Sequence, residues 1–161
     1  MARCAELADG GDRRSGHVTH ATQRANRPGR VTVGAVTASL RPTCPCGSGE
    51  PYDACCGRLH RGAAQAETAE ELMRSRYAAF AVGDAAYLWR TWHPRTRPDD
   101  LELDTSRTWT GLRVLGSGED WVQFVASYDS PAGPGEQSER SRFERRAGRW
   151  VYVDGETPGS D

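Results

Sequence analysis

Four cysteines fall within thirteen residues of this chain: Cys44-Pro45-Cys46, a gap of eight residues, then Cys55-Cys56. Residues 1–30 are polar and hold no apolar stretch of the kind a secretory leader needs. No apolar run reaches the roughly 20 residues of a membrane-spanning helix. The expected location is therefore the cytoplasm, where thiols stay reduced and clustered cysteines serve as metal ligands more often than as disulfides. Zinc favours four soft ligands in a tetrahedron with Zn–S near about 2.3 Å. The pattern predicts one structural Zn²⁺ held by Cys44, Cys46, Cys55 and Cys56. Gly47-Ser48-Gly49 permits the backbone angles of a tight reversal, and Pro51 stiffens it. Four thiolates around a divalent cation leave a negative centre, which N–H groups of the glycine loop, with Arg41 or Arg58, would offset. The alternatives are disulfides, unliganded thiols, or His60 in place of Cys56. Four thiolates leave no position for water, so chemistry at the metal is not expected. Cys4 stands apart and is assigned no role.

All 21 basic residues are Arg, and the chain has neither Lys nor Ile. Both missing residues have AT-rich codons, so the composition points to a GC-rich, bacterial genome. The net charge of -1 argues against non-specific nucleic-acid binding by the whole chain. Charge is unevenly placed, +4 over residues 1–43 and -5 over the remainder. Residues 1–41 read as a disordered basic tail poor in large apolar side chains. Translation could instead begin at Val31, Val33 or Val36, because GC-rich genomes often use GTG starts. The expected organisation is this tail, a metal motif over 42–62, an α+β domain over 67–155, and a frayed tail over 156–161.

Thr68-x-x-Glu71 is a capping box, and Leu72, Met73, Tyr77 and Phe80 follow helical spacing. A helix is predicted from 68 to 82, with Gly83 just past its end and Asp84 capping a second helix over 85–92. Pro94 stops that helix. From Arg107 the period becomes two, and strands are predicted over 107–115, 121–128, 137–146 and 149–153. Turn residues separate them, including a Pro- and Gly-rich loop over 129–136. Helices followed by an antiparallel meander imply an α+β fold with the sheet curved over the helices.

Cys44-Pro45-Cys46-Gly47-Ser48-Gly49, Tyr52 and Cys55-Cys56-Gly57 together resemble the SEC-C motif of the SecA translocation ATPase, C-x-C-x₈-C-[HC], with Cys56 where SecA has His. The run Arg74-Ser75-Arg76-Tyr77-Ala78-Ala79-Phe80, then Asp84, Tyr87-Leu88 and Thr91-Trp92-His93-Pro94, is similar to the bacterial YchJ-like family. Trp121-Val122, Phe124, Tyr128, Ser141-Arg142-Phe143 and Trp150 to Gly155 extend the resemblance. It implies an N-terminal SEC-C zinc knuckle joined to a cone-shaped domain like nuclear transport factor two. In SecA the motif meets the chaperone SecB and the ribosome. The resemblance therefore implies docking on a protein or ribosomal surface, with a SecB-like chaperone as one partner, and contact with nucleic acid only through the ribosome.

Tyr52, Arg58, Leu59 and Arg61 flank the ligands and include residue types enriched at interface hot spots, so they are the expected docking residues. The second reading is a small-molecule site in the cone, enzymatic or not. Its candidate lining is Arg76, Tyr77, Tyr87, Trp92, His93 and Tyr128, although aromatic residues in this pattern equally describe a plain core. His93 is either a general base oriented by Asp84 or Asp104, or a packed histidine at a helix end. Arg76 shares a helical face with Leu72, Met73 and Phe80 and should require a carboxylate partner if buried. The Arg-rich segment 140–149 reads as a solvated sheet face. A concave pocket with convergent polar groups would favour the second reading, and a filled apolar cone the first.

Overall fold

The computed structural model describes residues 42–159. The tail over 1–41, the alternative start sites, Cys4 and Arg41 lie outside the described residues. α1 (Cys56–His60) belongs to the cysteine segment and is followed by α2 (Ala69–Val82) and α3 (Ala85–Arg90). Four strands complete the order: β1 (Thr108–Ser117), β2 (Trp121–Ser130), β3 (Gly133–Arg146) and β4 (Arg149–Glu156). They form one antiparallel sheet in the order β1-β2-β3-β4, the expected meander.

The helix signals act as the sequence predicts. Thr68 Oγ1 accepts from the Glu71 N–H at 3.1 Å, and the Glu71 carboxylate accepts from the Glu67 N–H at 2.7 Å. Gly83 adopts the left-handed conformation past the end of α2, and the Asp84 carboxylate caps α3 through the Tyr87 N–H.

Three local features differ from expectation. α1 was not anticipated in the Cys-rich segment. α3 ends at Arg90 rather than Trp92, because the next residues pair with the sheet: Trp92 bridges Tyr152 in parallel. The His93 N–H donates to the Tyr152 carbonyl at 2.7 Å, and the Tyr152 N–H donates to the Thr91 carbonyl at 2.8 Å. The loop predicted over 129–136 is mostly strand. Asp129 pairs with Pro134 and Ser130 with Gly133, so the turn shrinks to Pro131-Ala132.

α2 lies across the concave face of the sheet. Leu72, Met73 and Ala79 of α2 meet Tyr87 and Leu88 of α3, and Val122 and Phe143 of the sheet, in one buried cluster. Leu59 of α1 belongs to that same cluster. The cysteine segment therefore shares a core with the larger domain. No described helix is long and apolar enough to cross a membrane.

Candidate functional site

Residues 43–56 form a small hairpin-like turn that reverses at the glycine loop. Thr43 bridges Pro51, and the Cys44 N–H donates to the Glu50 carbonyl at 2.8 Å. Gly47 and Gly49 both sit at positive φ, near 80°, which a side chain would strain. Gly57 packs so closely under Tyr52 that a Cβ there would lie 2.8 Å from the Tyr52 carbonyl oxygen. This packing swings the start of α1 back toward Cys44 and Cys46.

The four predicted ligands converge. The Sγ atoms of Cys44, Cys46, Cys55 and Cys56 all lie within 4.8 Å of one another. Cys46 and Cys55 are 3.6 Å apart, and Cys55 and Cys56 are 3.9 Å apart. A tetrahedron with metal–sulfur bonds of about 2.3 Å has edges of about 3.8 Å, so the sulfur separations suit a tetrahedral thiophilic ion. Cys44, Cys46 and Cys56 perturb one another's ionisation. Hydrogen bonding from Cys56, aided by Ser48, draws the Cys46 thiol down to about 4. The Cys56 thiol is pushed strongly upward by its bond to Cys46 and by burial, and burial pushes Cys44 up to about 11. A divalent cation overrides this mutual perturbation by stabilising all four thiolates.

The residues around the ligands are engaged within the chain. Leu59 is 4 % exposed and belongs to the core, which corrects its assignment to an outward docking surface. Arg58 pairs with Glu71 of α2. It does not face the sulfurs; the cation beside the cluster is Arg74, which donates to the Cys46 carbonyl at 3.1 Å. Arg61 pairs with Asp53 at 2.7 Å. The Tyr52 hydroxyl donates to His60 Nδ1 at 2.7 Å, and His60 Nε2–H donates to the Ser75 carbonyl at 2.8 Å. Both ring nitrogens of His60 are thus occupied, which removes it as a substitute ligand for Cys56. Ser75 Oγ continues the chain to the Tyr87 hydroxyl at 2.7 Å.

A second site opens between α2 and the concave face of the sheet, as a cavity of about 350 Å³. Of the expected lining residues, Arg76, Tyr77 and Trp92 are present, whereas Tyr87, His93 and Tyr128 lie elsewhere. Tyr87 packs against His60, and Tyr128 meets Trp109 edge to face. His93 is 1 % exposed. Its Nδ1 accepts from the Arg95 N–H, and its Nε2 lies among Arg146 and Glu144. It contacts neither Asp84 nor Asp104 and does not line this cavity. The general-base reading of His93 is therefore replaced by the packed one, a histidine held at the junction of α3 and β4.

The cavity contains residues the sequence did not suggest. Gln137, Glu139, Ser141 and Phe143 alternate inward along β3, while Arg140 covers Trp121 and Arg142 pairs with Asp154 on the outer side. The Arg-rich face is thus solvated as expected, but its partner face is not. Phe143 supplied a usable signal: once it is placed in the core, period two turns Glu139 and Ser141 inward with it. Glu139 Oε1 accepts from the Ser141 hydroxyl at 2.6 Å and from the Tyr152 hydroxyl at 3.2 Å.

Arg76 departs most from expectation. It is 6 % exposed and has no carboxylate within ion-pair distance among the described residues. Its guanidinium lies against the rings of Tyr152, 4.5 Å away, and Trp92, 5.1 Å away, which meet each other edge to face at 5.0 Å. Nη1 donates to the Leu88 carbonyl and to Thr91 Oγ1, each at 2.8 Å. Aromatic faces and carbonyl dipoles replace the predicted counter-ion. Burial still pushes the guanidinium down to about 10. Beside it the Trp92 indole N–H is buried without an acceptor, at a cost of about 1–3 kcal/mol.

Comparison with known proteins agrees with this construction. The family described as "YchJ, middle NTF2-like domain" matches residues 68–155, and the SEC-C motif matches residues 43–58. A UPF0225 protein of Streptomyces coelicolor is 56% identical over 122 residues, which cover 71% of this chain and 95% of that protein. A UPF0225 protein of Deinococcus radiodurans is 53% identical over 112 residues, 69% of this chain and 86% of that one. The solution structure of a SEC-C motif containing protein from Rhodopseudomonas palustris superposes with a TM-score of 0.64 at 36% identity, covering 72% of this chain and 98% of that one. The crystal structure of a SEC-C motif containing protein from Psychrobacter arcticus gives 0.60 at 27% identity, covering 74% and 85%. A four-cysteine SEC-C segment joined through a shared core to helices on a four-stranded antiparallel sheet places this chain in the YchJ-like UPF0225 family.

Proposed function

We propose that this protein binds a small organic molecule in the cavity between α2 and the sheet, and that its SEC-C segment is a Zn²⁺-dependent staple for that domain. The cavity carries the first half of this reading. It has the size of a compact ligand site, aromatic walls, and a small set of polar groups from α2, β3 and β4. Such a pocket is what distinguishes a ligand binder from a filled scaffold. Leu59 carries the second half. A docking module should turn its apolar side chain outward, whereas here that side chain is spent on the common core. The engagement of Arg58, Arg61 and Tyr52 with Glu71, Asp53 and His60 supports the same internal role over docking on a chaperone or ribosomal surface.

Zinc suits the four thiolates because it is soft, tetrahedral and redox-inert. Protein purified without chelator under reducing conditions should contain about one zinc per chain, and Cys46→Ser should lower that content sharply. Absence of metal, or iron in its place, would overturn the zinc assignment. The ligand reading is tested on the zinc-loaded protein by NMR with a chemically mixed fragment set. Shifts should cluster on Tyr77, Trp109, Glu139 and Tyr152. A set that leaves these residues unmoved would overturn it.

A further inference from the structure

Among the charged side chains lining the cavity, Arg76 is set apart by its commitments. The two hydrogens of Nη1 are already used, by the Leu88 carbonyl and Thr91 Oγ1. The Nε–H and Nη2 hydrogens have no protein acceptor among the described residues, and neither atom is sealed off from the cavity. These two atoms form one edge of the guanidinium, the parallel pair of donors that matches the two oxygens of a carboxylate. The rings of Trp92 and Tyr152, packed edge to face on each other, form one wall against the guanidinium, and the bonds to Leu88 and Thr91 anchor it.

We propose that the cavity selects a small aromatic monocarboxylate, whose carboxylate is received by the Nε–Nη2 edge of Arg76. This deepens the ligand-binding reading above and rests on it. The apolar body of the ligand would lie against Tyr77, Trp109, Phe124 and Phe143. A single negative charge is specified because Glu102, Asp104 and Glu139 also line the cavity. Asp104 is neutralised by Arg107 at 3.0 Å, but Glu102 and Glu139 would repel a phosphate dianion or a dicarboxylate. The volume of about 350 Å³ limits the body to one or two rings.

The test uses the full zinc-loaded chain and four probes of nearly equal size or simple charge: benzoate, benzamide, benzylamine and inorganic phosphate. Affinity is measured by NMR titration, and the site is located by the shifts of cavity residues. Benzoate should bind at least about tenfold more tightly than benzamide, the ratio expected for a charge-assisted pair against a neutral one. Arg76→Lys keeps the charge and loses the planar edge, and it should remove most of that preference. The ligand series needs no variant, so it stands even if Arg76→Lys fails to fold. Benzamide, benzylamine or phosphate binding in the cavity as tightly as benzoate would overturn the carboxylate assignment and leave the cavity as a ligand site. Failure of all four probes to move any cavity residue would overturn both readings.

Discussion

Leu59→Ala separates a stapled segment from an independent docking module. Leu59 sits on α1, three residues beyond the last cysteine ligand, yet it packs with Leu72, Tyr87 and the rest of the domain core. Truncation removes three buried carbons, worth about 2.4 kcal/mol at about 0.8 kcal/mol per methylene. A cavity term adds to this, because α1 is tied down by the metal ligands and by the bond from Arg90 to the His60 carbonyl and cannot collapse inward. A void of about 110 Å³, lined in part by Leu59, Leu72 and Tyr87, already adjoins the site and would be enlarged. The expected loss is about 3 kcal/mol, roughly 10 °C in melting temperature for a domain of this size. Urea unfolding of zinc-loaded protein, followed by tryptophan fluorescence, should show a lower midpoint with an unchanged slope. A loss below about 0.5 kcal/mol, the level of an ordinary surface change, would refute the argument that the segment and the domain share one core.

Gly57→Ala should lower zinc affinity and cost about 1–3 kcal/mol, because the new Cβ meets the Tyr52 carbonyl and ring; calorimetric zinc titration checks it. Arg58→Ala removes a half-exposed ion pair with Glu71 and should cost about 1 kcal/mol or less in urea unfolding, with zinc content unchanged. Burial holds His60 below its ordinary value of 6.5. The unfolded chain therefore takes up a proton as pH falls through about 6.5, while the folded chain does so only at lower pH. Stability should fall with pH across that window, and His60→Gln should show a shallower fall than wild type in paired urea titrations at pH 7.5 and 5.5. Equal slopes would refute this contribution.

Much of the architecture was legible because each signal was local. Thr68, Glu71, Gly83 and Asp84 mark helix ends through bonds to their near neighbours, and those bonds form. The cysteine spacing was enough to bring four sulfurs together. The misreadings arise where distant segments meet. Trp92 carries a helical pattern, but its backbone is claimed by β4, sixty residues on. His93 was a candidate base by residue type alone, and the pairing of residues 91–93 with β4, beside Glu144 and Arg146 of β3, sealed it away. Leu59 seemed exposed because its segment is short and polar; only the docking of α1 onto α2 reveals where it goes. Glu139 was hidden within a strand rich in charge, where alternation decides which residues turn inward.

The bridge between Trp92 and Tyr152 also governs how the cavity responds to an occupant. These residues meet edge to face and form one aromatic wall against the Arg76 guanidinium, and main-chain hydrogen bonds between 91–93 and 152 hold the pair together. The placement of this wall is therefore tied to the backbone. Moving it would break the two main-chain hydrogen bonds that join residues 91–93 to Tyr152. Occupancy should then proceed with little ordering entropy lost at the arginine. Discrimination among ligands would rest on the fixed position of the guanidinium against this wall.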